Sequence, residues 1–112
     1  LYLRTRKFVL SRSNPYYFSG ISGHGVGSPH TGLNRIWPIA ITMRALTGND
    51  HDVITSLRML KNTHAATGFM HESFLKDDHS QFTRKWFAWA NTLFGELVLE
   101  TFRNSPDLLK EV

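Results

Sequence analysis

Ile36-Trp-Pro-Ile-Ala-Ile-Thr-Met-Arg-Ala-Leu46, followed by Thr47-Gly-Asn49, sets the layout of this chain. The apolar run reads as a helix. Pro38 is tolerated in its first turn, where a missing N–H has no helical partner to lose. Thr47-Gly48-Asn49 closes it. Asp50 or Asp52 then caps a second helix over residues 51–66, in which Val53, Ile54, Leu57 and Leu60 recur at helical spacing. Gly68 is placed to end that helix in the left-handed conformation. So tight a turn makes the two helices antiparallel neighbours. The start of the first and the end of the second therefore share one end of the pair, and the segments leaving there lie on one rim.

Two long loops leave there. Asn14–Asn34 holds Gly20, Gly23, Gly25, Gly27 and Gly32 with Pro15 and Pro29, and a loop of about twenty residues in a compact domain is usually functional. The other runs from Gly68 to Arg84. With Thr67 it carries Thr67-Gly-Phe-Met-His-Glu-Ser-Phe-Leu-Lys-Asp-Asp78 and then His79. A core does not need Glu72 beside His71, with Asp77, Asp78 and His79 close behind. A saccharide site does: polar groups grip hydroxyls, a carboxylate moves a proton and aromatic faces stack on the ring. A third helix, Trp86–Phe102, carries Trp89, Leu93, Glu96, Leu97 and Glu100, and Ser105-Pro106-Asp107 caps a short last one. Residues 1–10 read as the end of a helix that Asn14-Pro15 stops. No alternating strand pattern appears, so the expected fold class is all-α.

With 112 residues and 41% hydrophobic content, there is room for one small domain with a core. The absence of Cys excludes a disulfide framework and a thiolate site, and fits a reducing compartment. The formal charge of +4 invites a nucleic-acid reading, but Arg4, Arg6, Lys7 and Arg12 form no continuous run, and a solvated face explains them. No stretch of 18 apolar residues occurs, so no membrane-spanning helix is expected. The chain opens as though inside a helix already under way, and is expected to be a piece of something longer.

Five motifs together resemble one family. They are Gly25-Val-Gly-Ser-Pro-His30, Ile36-Trp-Pro38, Thr67-Gly-Phe-Met-His-Glu-Ser-Phe74, Lys76-Asp-Asp78, and Phe82-Thr-Arg-Lys-Trp-Phe-Ala-Trp-Ala-Asn91 with Leu93-Phe-Gly-Glu-Leu97. In this order and spacing they resemble glycoside hydrolase family 125, the exo-α-1,6-mannosidases, over residues 5–99. The resemblance implies the C-terminal hairpins of an (α/α)6 barrel, incomplete in this chain, as part of a single catalytic domain. It implies inverting hydrolysis of terminal α-1,6-linked mannose with no metal and no cofactor. The partners it implies are an α-mannoside glycan and the remainder of the same catalytic domain; the charge distribution and the apolar runs point to no nucleic acid and no membrane. The aspartic acid that serves the family as general acid has no counterpart here, so the isolated chain is expected to be inactive.

By its place in His71-Glu-Ser73, Glu72 matches the family's general base. Glu96 is the competing carboxylate, seven residues after Trp89 on one helix face, and is read instead as a buried glutamate paired with an arginine. Asp77 and Asp78 are expected to shape their loop or pair with Arg84. His30 and His71 are candidate partners of sugar hydroxyls, since a neutral imidazole both donates and accepts. Trp37 and Trp86 stand at the rim ends of their helices as stacking faces, while Trp89, a turn further in, is assigned to the core. His71, Asp77 and His79 match no zinc spacing. Gly23-His-Gly-Val-Gly27 lacks the strand and the Lys-Ser/Thr of a phosphate loop, so its glycines are expected to let backbone approach a sugar; His24 is given no role. Two alternatives remain: an (α/α)6-barrel glycosidase of different sugar specificity, and a non-enzymatic basic helical module, whose binding to nucleic acid would depend steeply on salt.

Overall fold

A computed structural model describes residues 1–112. In chain order the elements are α1 (Tyr2–Val9), β1 (Tyr17–Ser19), β2 (His24–Val26), β3 (Arg35–Ile36), α2 (Pro38–Thr47), α3 (Asp50–Thr63), β4 (Ser73–Leu75), β5 (Asp78–Thr83) and α4 (Ala88–Asn104), closed by a 3-10 turn over Pro106–Glu111. About half the chain is helical, but the all-α expectation needs correction, because both long loops contain antiparallel sheet. These strands are two to six residues long, too short for alternation to declare itself in sequence.

Each helix follows from its local residues. In α2, Pro38 stands at the start and the buried stripe is Pro38, Ile41, Thr42 and Ala45, the spacing of a single helical face. Asn49, rather than Asp50 or Asp52, caps α3: its side chain accepts from the Asp52 N–H, and the Asp52 carboxylate accepts from the Asn49 N–H. Gly68 is left-handed as expected (φ 74°), yet α3 has already ended at Thr63, and Ala65 and Ala66 take left-handed conformations before it. In α2, α3 and α4 the buried Thr42, Thr63 and Thr101 donate to carbonyls four residues back, which satisfies hydroxyls that would otherwise be stranded in the core.

The sheets are what bring the two loops together. β1 and β2 form a hairpin in which Phe18 faces Gly25. β3 from the first loop pairs with β4 from the second, Ile36 opposite Phe74, and β4 pairs in turn with β5. Ile36 and Phe74 are wholly buried and join Phe18, Ile41, Leu60, Met70 and Ala90 in the main core. The core thus draws on both loops as well as on the helices.

Two glycines of the first loop are required by this packing. A Cβ at Gly25 would come 2.9 Å from the Ile36 side chain, and one at Gly27 would collide with the Arg35 carbonyl. At these two positions the close approach the glycines permit is to the chain itself, at Ile36 and Arg35 of β3.

Candidate active site

Glu72 stands immediately before β4, and its N–H is shared between the carbonyls of Thr83 (3.1 Å) and Arg84 (3.3 Å). Only 6% of the residue is exposed. Its carboxylate nevertheless accepts no hydrogen bond from the chain. Two cationic or potentially cationic groups approach one oxygen, Oε2: Arg84 Nε at 3.3 Å and His30 Nε2 at 3.9 Å. Oε1 has neither an ion-pair partner nor a burial that seals it from water.

His30 arrives from the other loop. A turn at Ser28 holds it, with the His30 N–H donating to Ser28 Oγ (3.1 Å) and the Thr31 N–H to the Ser28 carbonyl (3.1 Å). The same turn orients Trp37, whose Nε1–H donates to Thr31 Oγ1 at 2.7 Å. The Trp37 N–H also donates to the Val26 carbonyl, fixing the start of α2 against β2. Trp37 sits edge-on to His30 (6.2 Å between ring centroids) and to Phe87 (6.0 Å), and Phe87 continues to Trp89 (5.6 Å). An aromatic row therefore leads away from His30, which itself touches Glu72. Asn91 ties Phe87, within the row, to Met70: it accepts from the Met70 N–H and donates to both carbonyls.

Several expectations change here. His71 does not face the rim. It is 1% exposed, stacked on Phe82 at 4.0 Å, with Nδ1 2.8 Å from the Lys85 carbonyl. A carbonyl only accepts, so Nδ1 carries the proton, and burial holds the imidazole pKa below its ordinary value against the pull of the Lys85 and His64 carbonyls. His71 is thus a brace behind Glu72 and not a surface contact. Trp86 is 59% exposed but stands outside the aromatic row; Phe87 and Trp89 occupy it instead. Trp89, assigned to the core, is 72% exposed.

The remaining acids are also settled by geometry. Glu96 is exposed on α4 and makes no ion pair, contrary to the buried, arginine-paired reading. Asp77 accepts from the Ile21 N–H (2.9 Å) and Lys76 (2.8 Å), and Asp78 from Ser80 and Gln81, so both shape their loop. These bonds hold both carboxyls below the usual range, Asp77 chiefly through Lys76 and Asp78 chiefly through Ser80. Arg84 pairs with Glu72 and with neither aspartate. His24 contacts the Tyr17 hydroxyl and Arg44, each at 3.4 Å, and burial, seconded by the Arg44 charge, lowers its pKa. No group of three or more His, Asp or Glu is arranged to hold a metal ion, and no helix is long and apolar enough to cross a membrane.

Arg84, Phe87 and Thr31 join the candidate site through contacts that the sequence did not announce. All three depend on contacts that cross between loops or between a loop and a helix. Three concavities elsewhere in the chain, lined in turn by residues such as Leu97, Leu60 and Val9, do not include Glu72.

A buried but unbonded carboxylate, a histidine from a second loop and an adjoining aromatic row together form the candidate site. The family model described as metal-independent α-mannosidase (GH125) matches residues 1–99, and the chain belongs to that family. A curated relative, the meiotically up-regulated gene 157 protein of Schizosaccharomyces pombe, is 46% identical over 113 residues, covering 99% of this chain and 22% of that protein. A solved metal-independent α-mannosidase from Streptococcus pneumoniae, in a non-productive complex with α-1,6-mannobiose, superimposes with a TM-score of 0.88 at 41% identity. The match covers 92% of this chain and 24% of that one. The chain therefore spans about a quarter or less of the proteins it matches.

Proposed function

We propose that this chain is the C-terminal part of a single (α/α)6-barrel catalytic domain that removes terminal α-1,6-linked mannose by inversion, without a metal, with Glu72 as general base. The observation that carries the reading is the state of the Glu72 carboxylate. It is held by its backbone at the start of β4, nearly buried, and still has an oxygen with no partner within the chain. A carboxylate in that state can orient a water and take its proton as the water attacks the anomeric carbon. His30, able to donate or accept, is placed to meet a sugar hydroxyl beside it, and Trp37 offers the stacking edge of the same wall. Trp86, exposed nearby in sequence, is a further face open to stacking.

Inversion also needs an acid about 6.5–9.5 Å from the base to protonate the leaving oxygen. Asp77 and Asp78 are engaged in their loop, and Glu96 lies exposed on α4. The acid is therefore assigned to chain outside these 112 residues. In the full-length protein, Glu72→Gln is expected to preserve sugar binding while reducing hydrolysis of α-1,6-mannobiose by about 10²–10⁴-fold. Near-normal turnover by that variant would remove Glu72 from the mechanism. Proton NMR of the first-formed mannose tests the stereochemistry, and a retained anomeric configuration would refute the single displacement. The 112 residues alone are expected to release no mannose; hydrolysis by them would require an acid within the chain.

A further inference from the structure

We propose that Arg84 is a positioning residue for Glu72, an inference that rests on the reading of Glu72 as general base. Arg84 follows β5 in a left-handed conformation, φ 44°. This conformation is costly for a side chain that offers no local hydrogen bond in return, and it persists only where the surroundings impose it. Both neighbours of Arg84 are pinned. Thr83 Oγ1 lies 2.6 Å from Ser73 Oγ, and the Lys85 carbonyl accepts from His71 Nδ1 at 2.8 Å. Between these two ties, the backbone turn brings Nε within 3.3 Å of Glu72 Oε2, while the Arg84 carbonyl accepts from the Glu72 N–H. The residue thus grips Glu72 through main chain and side chain together.

Stability does not explain an arginine at this position. The ion pair joins a guanidinium that is 65% exposed to a carboxylate that is 7% exposed, and at 3.3 Å without a hydrogen bond, with water free to screen the arginine, its contribution to folding is small. A glycine would take the same backbone without strain, as Gly68 does at φ 74°. The other left-handed residues, Asn34, Ala65 and Ala66, bring no charge to a carboxylate. What the arginine adds is direction. With Oε2 claimed by Arg84 and approached by His30, the carboxylate presents Oε1 to the water it must deprotonate. Placement on the carboxylate, rather than contact with the sugar, is the role assigned.

Arg84→Gly in the full-length protein separates this role from a structural one, since it removes the guanidinium and the backbone strain at once. The melting temperature is expected to hold or rise. On α-1,6-mannobiose, kcat is expected to fall about ten- to a hundredfold, with KM changed by less than about threefold. Added guanidinium ion should restore part of that turnover, and should restore none in Glu72→Gln. Arg84→Lys, which keeps a charge but not the planar geometry, should fall between, and serves as the measurement if the glycine variant does not fold. Unchanged kcat in the variant measured overturns the proposal. So does a rise in KM alone, which would make Arg84 a sugar contact. Loss of turnover in Glu72→Gln with normal turnover in Arg84→Gly would reject the positioning role and leave the base intact; normal turnover in Glu72→Gln would reject the base itself.

Discussion

Two carboxylates of this chain lie almost wholly buried beside arginines, and they are held in opposite ways. Asp52, at the start of α3, is saturated. Arg6 donates from α1 at 2.7 Å, Arg44 from α2 at 3.1 Å and the Asn49 N–H at 3.1 Å. Burial alone would raise its pKa, but these hydrogen bonds outweigh it and hold the carboxyl below its ordinary range. Glu72 has no hydrogen bond to either oxygen and two looser contacts on one of them. A carboxylate whose acceptor sites are filled by the protein is a tie between elements. One that is buried but left unfilled is available for chemistry. The difference lies in the donors supplied and not in burial, since Asp52 is 2% exposed and Glu72 6%.

Substitution at each centre should therefore produce opposite results. Glu72→Gln gives the largest effect, the 10²–10⁴-fold loss of turnover expected of a missing general base. It should leave the melting temperature within a few degrees, because no hydrogen bond is removed. Asp52→Ala should behave the other way, costing about 3 kcal/mol in unfolding, the low end for a broken buried pair since both arginines keep some solvent. Turnover per folded molecule should be retained. Chemical denaturation and steady-state kinetics on both variants make the test. A large kinetic loss from Asp52→Ala in folded protein would erase the distinction between the two centres.

The next effect is smaller and concerns pH. His71 is buried neutral, so its folded pKa lies below the ordinary 6.5. The unfolded chain then binds more protons below that pH, and stability rises with pH through the window. The contribution is complete above about 6.5 and is lost as the pH falls from there towards the lower folded value. His24, also shifted down by burial, acts with the same sign. His71→Phe should keep the stack on Phe82, lose the bond to Lys85 at a cost of about 1 kcal/mol, and flatten the slope below about pH 6.5 without abolishing it. An unchanged slope would mean that His71 is charged in the fold. Asp52 has the same sign in a lower window: its contribution is lost only as the pH falls below about 3.8.

The helices and the shared rim were legible in sequence because both depend on local signals. The stripe through Ile41 and Ala45, the repeat of Leu57 and Leu60, and the tight turn at Gly48 suffice to bring the loops bearing His30 and Glu72 to one end. The strands were not legible, since β3 has only two residues and exists through pairing with Leu75 and Phe74, far along the chain. α4 misled for another reason. Its buried residues are Ala90, Leu97 and Thr101; of the expected Trp89, Leu93, Glu96, Leu97 and Glu100 only Leu97 is among them. A helix with apolar residues around most of its circumference has no unique inward face until its neighbours are known. The Arg84–Glu72 pair escaped notice because it depends on a left-handed arginine, which no local pattern announces.

Glu96 gives the smallest expected effect and the sharpest control. It is the carboxylate that a sequence reader would weigh against Glu72, and its helix adjoins the aromatic row through Trp89. Yet it is exposed, unpaired and in the middle of α4, away from either helix end where the dipole would act on its charge. Removing that charge changes no hydrogen bond and fills or empties no cavity. Glu96→Gln should therefore shift unfolding by less than about 0.5 kcal/mol, the range of surface substitutions without a special contact. Turnover should stay within about twofold of the parent, because nothing ties its side chain to Glu72. A tenfold loss would show that a second carboxylate takes part in the chemistry, and that the distinction drawn from hydrogen-bond saturation at Asp52 and Glu72 does not extend to an acid exposed on the same face.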